Sequence, residues 1–250
     1  MFRLHVAGLK GGTGKTTVAY YLARFLSDHH KVLLIDKTVD GTLSKSFGVE
    51  DSLFSCKGNP YITLPNTNIT VLNASYLLTE APNDINCIKN IYEDLVRKNN
   101  VIIVDHSQLS YDRFNELEIR LYYDIFRTLT YNVVLVVGIN ELEVLKSLNF
   151  YSSIDSYINK LVAETLGLPL DNLTFTTIWA VIINKVMGNV DEKYIVRSLG
   201  DKFRNAPKIL IPFYKELLAG FHKVQIPQEF VSLGKYMDTI IHDPHSIVRR

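Results

Sequence analysis

Gly8-Leu-Lys-Gly-Gly-Thr-Gly-Lys-Thr-Thr17 is the stretch on which the fold turns. It follows an apolar run at 2–8 (FRLHVAG) and opens a helical pattern at 15–28. Glycines let successive backbone N–H groups turn inward around phosphate oxygens, and the following helix adds the positive end of its dipole. In this order Lys15 reaches the β- and γ-phosphates of a nucleotide and the Thr16 hydroxyl ligates Mg²⁺. The strict spacing G-x-x-x-x-G-K-[ST] fails at one position, because Leu9 stands where the first glycine belongs.

Outward from this loop, short apolar runs alternate with longer helical patterns. Strands are expected at 2–8, 32–36, 69–73, 101–105, 132–138, 177–183 and 208–211, and helices at 15–28, 85–98, 112–128, 142–166, 191–204, 213–220 and 228–242. Several strands are apolar almost throughout, as for strands covered on both faces. The alternation predicts an α/β fold, a mostly parallel twisted sheet with helices on both faces. Segment 51–68, with Gly58, Pro60 and Pro65, reads as a loop excursion. No repeat or linker divides the chain, so residues 1–250 are expected to form one domain.

Composition narrows the class. A 250-residue chain that is 47% hydrophobic has material for a sizeable core. No apolar stretch is long and uncharged enough for a transmembrane helix, and the start of the chain lacks the layout of a signal peptide, so a cytoplasmic protein is expected. Cys56 and Cys87 have neither C-x-x-C nor zinc spacing and read as ordinary thiols of a reducing compartment, with no iron–sulfur role. Residues 1–184 carry 16 Lys/Arg against 19 Asp/Glu, whereas 185–250 carry 11 against 7. The mildly basic last quarter is compatible with nucleic-acid contact, but its excess also fits a solvated helix surface.

Lys10-Gly11-Gly12-Thr13-Gly14-Lys15-Thr16-Thr17 resembles the deviant Walker A box of the ParA/MinD family of P-loop ATPases, K-G-G-x-G-K-[ST]-[ST]. The extra lysine, here Lys10, crosses the dimer interface in that family to touch the partner's phosphates. The resemblance therefore implies ATP and Mg²⁺ as cofactors and a homodimer with two sandwiched nucleotides. Val32–Asp36 and the following Lys37-Thr-Val-Asp-Gly-Thr-Leu-Ser-Lys-Ser-Phe-Gly48 are similar to the partition-ATPase segment D-L-D-P-Q-G-N-L-S-x-x-F-G. Asp36, Gly41, Leu43, Ser44, Phe47 and Gly48 are in register with it. The family's water-positioning aspartate falls on Thr38, with Asp40 two residues on. A hydroxyl replaces a carboxylate poorly in orienting water, so either Asp40 takes the role or turnover is slow.

Val101–Asp105 resembles Walker B, and the resemblance implies Mg²⁺ binding by Thr16, Asp36 and Asp105. The family's D-x-P-P-like turn is replaced by His106-Ser-Gln-Leu-Ser110. Asn184, at the end of Ala180-Val-Ile-Ile-Asn184, matches an asparagine that contacts the base, and Pro212 matches a closing segment that lies against adenine. Lys10, Lys15 and Asp40 are thus the candidate catalytic residues. Residues 10–17, Asn184 and Pro212 are the candidate nucleotide contacts.

The closest resemblance is to ParA-type DNA-partition ATPases. It implies non-specific DNA binding by the ATP dimer and a ParB-like centromere-binding partner, with Arg197, Lys202, Arg204, Lys223, Arg249 and Arg250 as candidate DNA contacts. The alternatives are a MinD-like positioning ATPase at a membrane and a nucleotide-gated adaptor with weak hydrolysis. The tail 240–250, broken by Asp243-Pro244, is short for a membrane helix. The histidines lack H-x-x-x-H spacing, and His29-His30 reads as a water-facing pair at a helix end. Trp179 reads as core. The mixed charges and aromatics of 112–128 suggest an interaction surface.

Overall fold

The computed structural model of the chain describes residues 1–8, 10–76, 84–106, 113–128, 131–138, 176–188 and 206–243, with isolated positions 149, 156, 159–160, 163, 191, 193 and 203 between them. The described elements are β1 (Phe2–Ala7), α1 (Lys15–Leu26), β2 (Val32–Lys37), α2 (Thr42–Lys45), β3 (Tyr61–Thr63), β4 (Ile69–Asn73), α3 (Ile85–Lys98), β5 (Val101–His106), α4 (Arg113–Phe126), β6 (Tyr131–Gly138), β7 (Thr176–Val186), β8 (Lys208–Pro212) and α5 (Gln228–His242). They build one eight-stranded sheet in the order β3-β4-β2-β5-β1-β6-β7-β8.

Every pairing is parallel except the edge pair β3–β4. Parallel strands need long crossovers, which place helices on both faces. Hence β2, β5 and β6 are buried at every position. Adjacent residues feed opposite layers: Leu33, Ile35, Ile102 and Val104 join the core under α3 and α4. Val32, Leu34, Val101 and Ile103 join the core under α1 and α5. The strands lack alternation in sequence because neither face meets water.

Helix α1 crosses α5 closely. A Cβ built on Gly234 would lie 2.3 Å from the Phe25 ring. A glycine inside a helix costs about 1 kcal/mol relative to alanine, and here it provides the space for Phe25. Helix α3 starts where Asp84 accepts from the Cys87 amide (2.9 Å) and ends on Arg97 and Lys98, which suit the negative pole of its dipole.

Several expectations change. The 51–68 excursion contains the edge strand β3, short and partly exposed, which leaves little apolar pattern to read. Residues 213–220 form no α-helix but a 3₁₀ turn, Lys215–Ala219, and a second 3₁₀ turn, Phe221–Lys223, follows Gly220 at φ 120°. Strand β7 runs longer than expected. The helices expected at 142–166 and 191–204 lie largely outside the described residues.

Cys56 and Cys87 are not free thiols; they form a disulfide tying the turn after Leu53–Ser55 to the first turn of α3. With the two cysteines 31 positions apart, spacing gives no hint that their Cα atoms come within 6.3 Å. His30 is buried rather than facing water, while His29 is exposed. Trp179 is partly buried against the core. No helix among the described residues is long and apolar enough to cross a membrane.

Candidate functional site

At the carboxyl edge of the sheet the glycine turn, the ends of β2, β5, β7 and β8, and the 3₁₀ turns enclose a cleft of about 490 Å³. Such crevices beyond the strand ends are where ligands bind in open α/β sheets. Gly14 stands at the N-cap of α1 with φ 91° and no side-chain cap, so the first amides of α1 are left for an external anion. Side chains take the carbonyls of the turn instead. Lys15 Nζ donates to the Lys10 carbonyl (2.8 Å), Asn184 Nδ2 to that of Thr13 (2.7 Å), and Lys185 Nζ to that of Gly12. A Cβ on Gly14 would collide with Asn184 Nδ2 at 2.2 Å, so only glycine fits there.

Lys15 is buried, which lowers its pKa, and the charge of Asp105 offsets part of that loss. Asp105 is wholly buried and neither carboxylate oxygen has a hydrogen-bond partner among the described residues. Burial, and then the charge of Asp36 beside it, push its pKa up to about 7, although the nearby Thr16 hydroxyl and Lys15 pull the other way. Asp36 pairs with Asp105 across the β2–β5 ladder. Its Oδ1 accepts from the Thr38 amide (3.0 Å) and hydroxyl (2.6 Å), and its Oδ2 from the Ser44 amide (2.7 Å) and hydroxyl (2.9 Å). The Thr38 hydroxyl in turn accepts from the amides of Gly41 (3.1 Å) and Thr42 (3.3 Å).

Beneath the cleft lies a second polar layer. His106 lines the floor, and its Nε2 lies 2.9 Å from His5 Nδ1. Burial, followed by the neighbouring cations, holds both imidazoles well below their usual pKa, so the pair is neutral. Arg3 and Lys37 both pair with Glu118 of α4 (2.6 and 3.4 Å), and Tyr92 donates to the same carboxylate. Burial alone would raise the Glu118 pKa, but Arg3 and Lys37 carry it below the usual range. The charge in 112–128 therefore has an inward part. Glu118 anchors α4 to the sheet, while Glu116–Arg120 and Arg127–Asp124 pairs remain outside.

The family model of the CobQ/CobB/MinD/ParA nucleotide binding domain matches residues 4–219. The chain belongs to this family. Among solved structures, a Borrelia burgdorferi plasmid partition protein bound to AMPPNP is 20% identical, with a TM-score of 0.62 over 97% of this chain and 99% of that one. Cyanothece McdA without nucleotide is 18% identical (TM-score 0.61, 99% of each chain). Pyrococcus horikoshii MinD complexed with Mg-ADP is 17% identical (TM-score 0.61, 96% of each chain). None of the curated proteins compared with the chain matches it. At these identities the likeness is one of fold, that of the ParA/MinD P-loop NTPases.

Within this CobQ/CobB/MinD/ParA domain the structure brings together Gly11, Gly12, Gly14, Lys15, Thr16 and Thr17 on one wall of the cleft. Thr13 is buried behind them, and Lys10 stands exposed at the rim. Asp40 is exposed and lines the cleft, and Pro212 is exposed on the opposite wall beside Phe213, Tyr214 and Phe221. Asn184 lines the cleft as well, but its amide nitrogen serves the turn. Leu9 and Ser107–Ser110 lie outside the described residues. So do all the DNA candidates except Lys223, which is exposed on the second 3₁₀ turn.

Sequence reasoning missed Lys185. It sits at φ 60°, a left-handed backbone that non-glycine residues seldom adopt, and such strain concentrates at functional positions. Its place directly after the strand-ending Asn184 was the available signal. The aromatic wall was missed too, because in sequence it was assigned to a helix.

Proposed function

We propose that this chain is an ATP-dependent, dimerising ATPase of ParA type that acts in DNA partition. The observation that carries the proposal is Asp105, a buried carboxylate with no hydrogen-bond partner among the described residues, near Thr16 and Lys15, which line the glycine-turn cleft. An orphaned buried carboxylate is costly unless something takes its oxygens, and the donor set of hydroxyl and carboxylate oxygens suits a hard cation. Thr16 and Asp105 fit Mg²⁺ accordingly. When bound with nucleotide, Mg²⁺ neutralises charge developing on the terminal phosphate.

The chain's own groups do the rest. Lys15 and the uncapped amides of α1 hold the phosphates, and the wall of Pro212, Phe213 and Tyr214 excludes water on the side of the base. Asp36, proposed from sequence as a metal ligand, uses all its oxygens within the chain. Its part is to hold the 38–44 loop, which places Asp40 against the cleft. Asp40 then orients the attacking water and receives its proton. Lys10, exposed at the rim, offers a cation to the phosphates of a second copy, so the dimer is favoured only with triphosphate bound. A ParB-like partner and non-specific DNA complete this reading.

Thr38 favours a second reading, a nucleotide-gated adaptor with weak hydrolysis, because its hydroxyl is already used by Asp36, Gly41 and Thr42. The expected outcome for Lys10→Ala is unchanged nucleotide affinity by calorimetry and no ATP-dependent dimer by light scattering. A mutant that dimerises like the wild type removes the trans lysine. DNA retardation that ignores the choice of ATP or ADP removes partition and leaves the adaptor.

A further inference from the structure

Helix α1 has two ends. Its first turn faces the cleft; its last leads into Ser27–Lys31, which packs on α5 roughly 18 Å away at 1.5 Å per residue. There His30, Asp238 and His242 meet. His30 is buried, Asp238 is 27% exposed and His242 is 64% exposed. A ring nitrogen of each histidine and a carboxylate oxygen of Asp238 all lie within 4.8 Å of one another. His30 Nε2 is 2.7 Å and His242 Nδ1 3.5 Å from the same Asp238 Oδ1. Asp238 and His242 are four residues apart on one helix face, a spacing that lets both reach one ion.

We propose that His30, Asp238 and His242 form a divalent transition-metal site, with Zn²⁺ as its ion, that staples the C-terminal helix α5 to the end of α1. Two imidazoles and one carboxylate are donors that zinc accepts, and water can complete its shell at the exposed side. Ligand atoms about 2.0–2.1 Å from zinc in tetrahedral geometry stand roughly 3.4 Å apart, so the His30–Asp238 pair, at 2.7 Å, has only to open slightly.

The tautomers sharpen the argument. His242 Nδ1 lies 2.8 Å from the Asp238 backbone carbonyl, which can only accept, so the proton is on Nδ1 and Nε2 carries the lone pair. This is the outer-shell hydrogen bond that metal-binding histidines use. His30 Nε2 donates to Asp238 in the absence of metal. On binding, zinc takes the place of that proton, which moves to Nδ1 of the same ring. His30 Nδ1 faces the Asn100 amide nitrogen at 3.5 Å, a separation at the limit of a hydrogen bond. The Asn100 oxygen is held by the Lys31 amide (2.8 Å). An aspartate at this position keeps an oxygen for Lys31 and gives the new Nδ1–H an acceptor.

ZnCl₂ is titrated calorimetrically into the full chain without nucleotide. One site that takes a single ion at about micromolar Kd is expected, with a raised Tm at saturation. His242→Ala and Asp238→Asn should each weaken it at least tenfold, whereas Asn100→Asp should tighten it on the order of tenfold. Asp105→Asn should leave the titration unchanged, which separates this site from the cleft. No binding at about 100 μM Zn²⁺, wild-type affinity in His242→Ala, or weaker binding in Asn100→Asp overturns the proposal. Because Asn100→Asp is read as a gain, misfolding of a variant cannot imitate support.

Discussion

Asp36 and Asp105 face each other across the β2–β5 ladder, both wholly buried, yet the fold treats them oppositely. Four donors from Thr38 and Ser44 saturate Asp36. Asp105 has none among the described residues. A paired buried carboxylate holds structure together; an unpaired one weakens it and is retained where a ligand supplies the missing partner. Strand-terminal aspartates that look alike in sequence therefore divide into one that shapes the loop and one whose oxygens stay unpaired among the described residues, the one assigned to Mg²⁺ in the proposed function.

The comparison breaks most directly at Asp36. Asp36→Ala leaves the amides and hydroxyls of Thr38 and Ser44 without their acceptor, and the cost of a broken buried network is about 3–4 kcal/mol. Urea unfolding without nucleotide measures it. A loss below about 1 kcal/mol would mean that the 38–44 loop is held by other contacts and that Asp36 is freer to meet a metal than its hydrogen bonds indicate.

Asp105→Asn should do the reverse. The Asp105 carboxyl titrates near 7 in the folded chain and near its ordinary 3.8 in the unfolded one. Between those values the folded state holds the extra proton, so its contribution is fully present below about pH 4 and is lost as pH rises through 7. The full shift corresponds to about 4 kcal/mol at 1.4 kcal/mol per unit. An asparagine still buries an unpaired amide, which leaves a net gain of about 1–2 kcal/mol at pH 8. Wild-type and Asp105→Asn unfolding curves should therefore separate at pH 8 and converge towards pH 4, while Mg²⁺-dependent hydrolysis disappears in the mutant. A gap independent of pH would show that Asp105 is not the group that titrates.

The same contrast explains what could be read from sequence. The interior strands were visible because two-sided burial leaves them apolar at every step, and α3 and α5 because their apolar stripes are long and bounded by Asp84 and Pro227. The glycine turn was legible because Gly14 and Lys15 each satisfy a demand no other residue type meets. Side-chain partnership was not legible. Thr38 reads as a missing carboxylate, whereas it ties Asp36 to the next turn. Glu118 reads as surface charge until Arg3, over a hundred positions away, is placed beside it. Cys56 and Cys87, and His30 with Asp238, meet only because the chain returns on itself. The three-residue β3 is too short and too exposed to leave a periodic signal.

The smallest effect tests Thr38, on which the two functional readings divide. Thr38→Val keeps the shape and removes the hydroxyl, so Asp36 loses one of its four donors and the amides of Gly41 and Thr42 lose an acceptor. Ser44 and the Thr38 amide still hold the carboxylate and Thr42 is exposed, but the buried Gly41 amide loses its acceptor, so the cost should be about 1–2 kcal/mol in urea unfolding. Single-turnover ATP hydrolysis should change less than threefold, since a hydroxyl occupied with Asp36 has no free donor for the attacking water, whereas Asp40→Ala should abolish whatever turnover exists. A tenfold or greater loss in Thr38→Val, with stability nearly unchanged, would place the hydroxyl at the terminal phosphate. The carboxylate missing at this position would then have a working substitute, and the contrast between Asp36 and Asp105 would have to be redrawn with Thr38 on the side of the nucleotide.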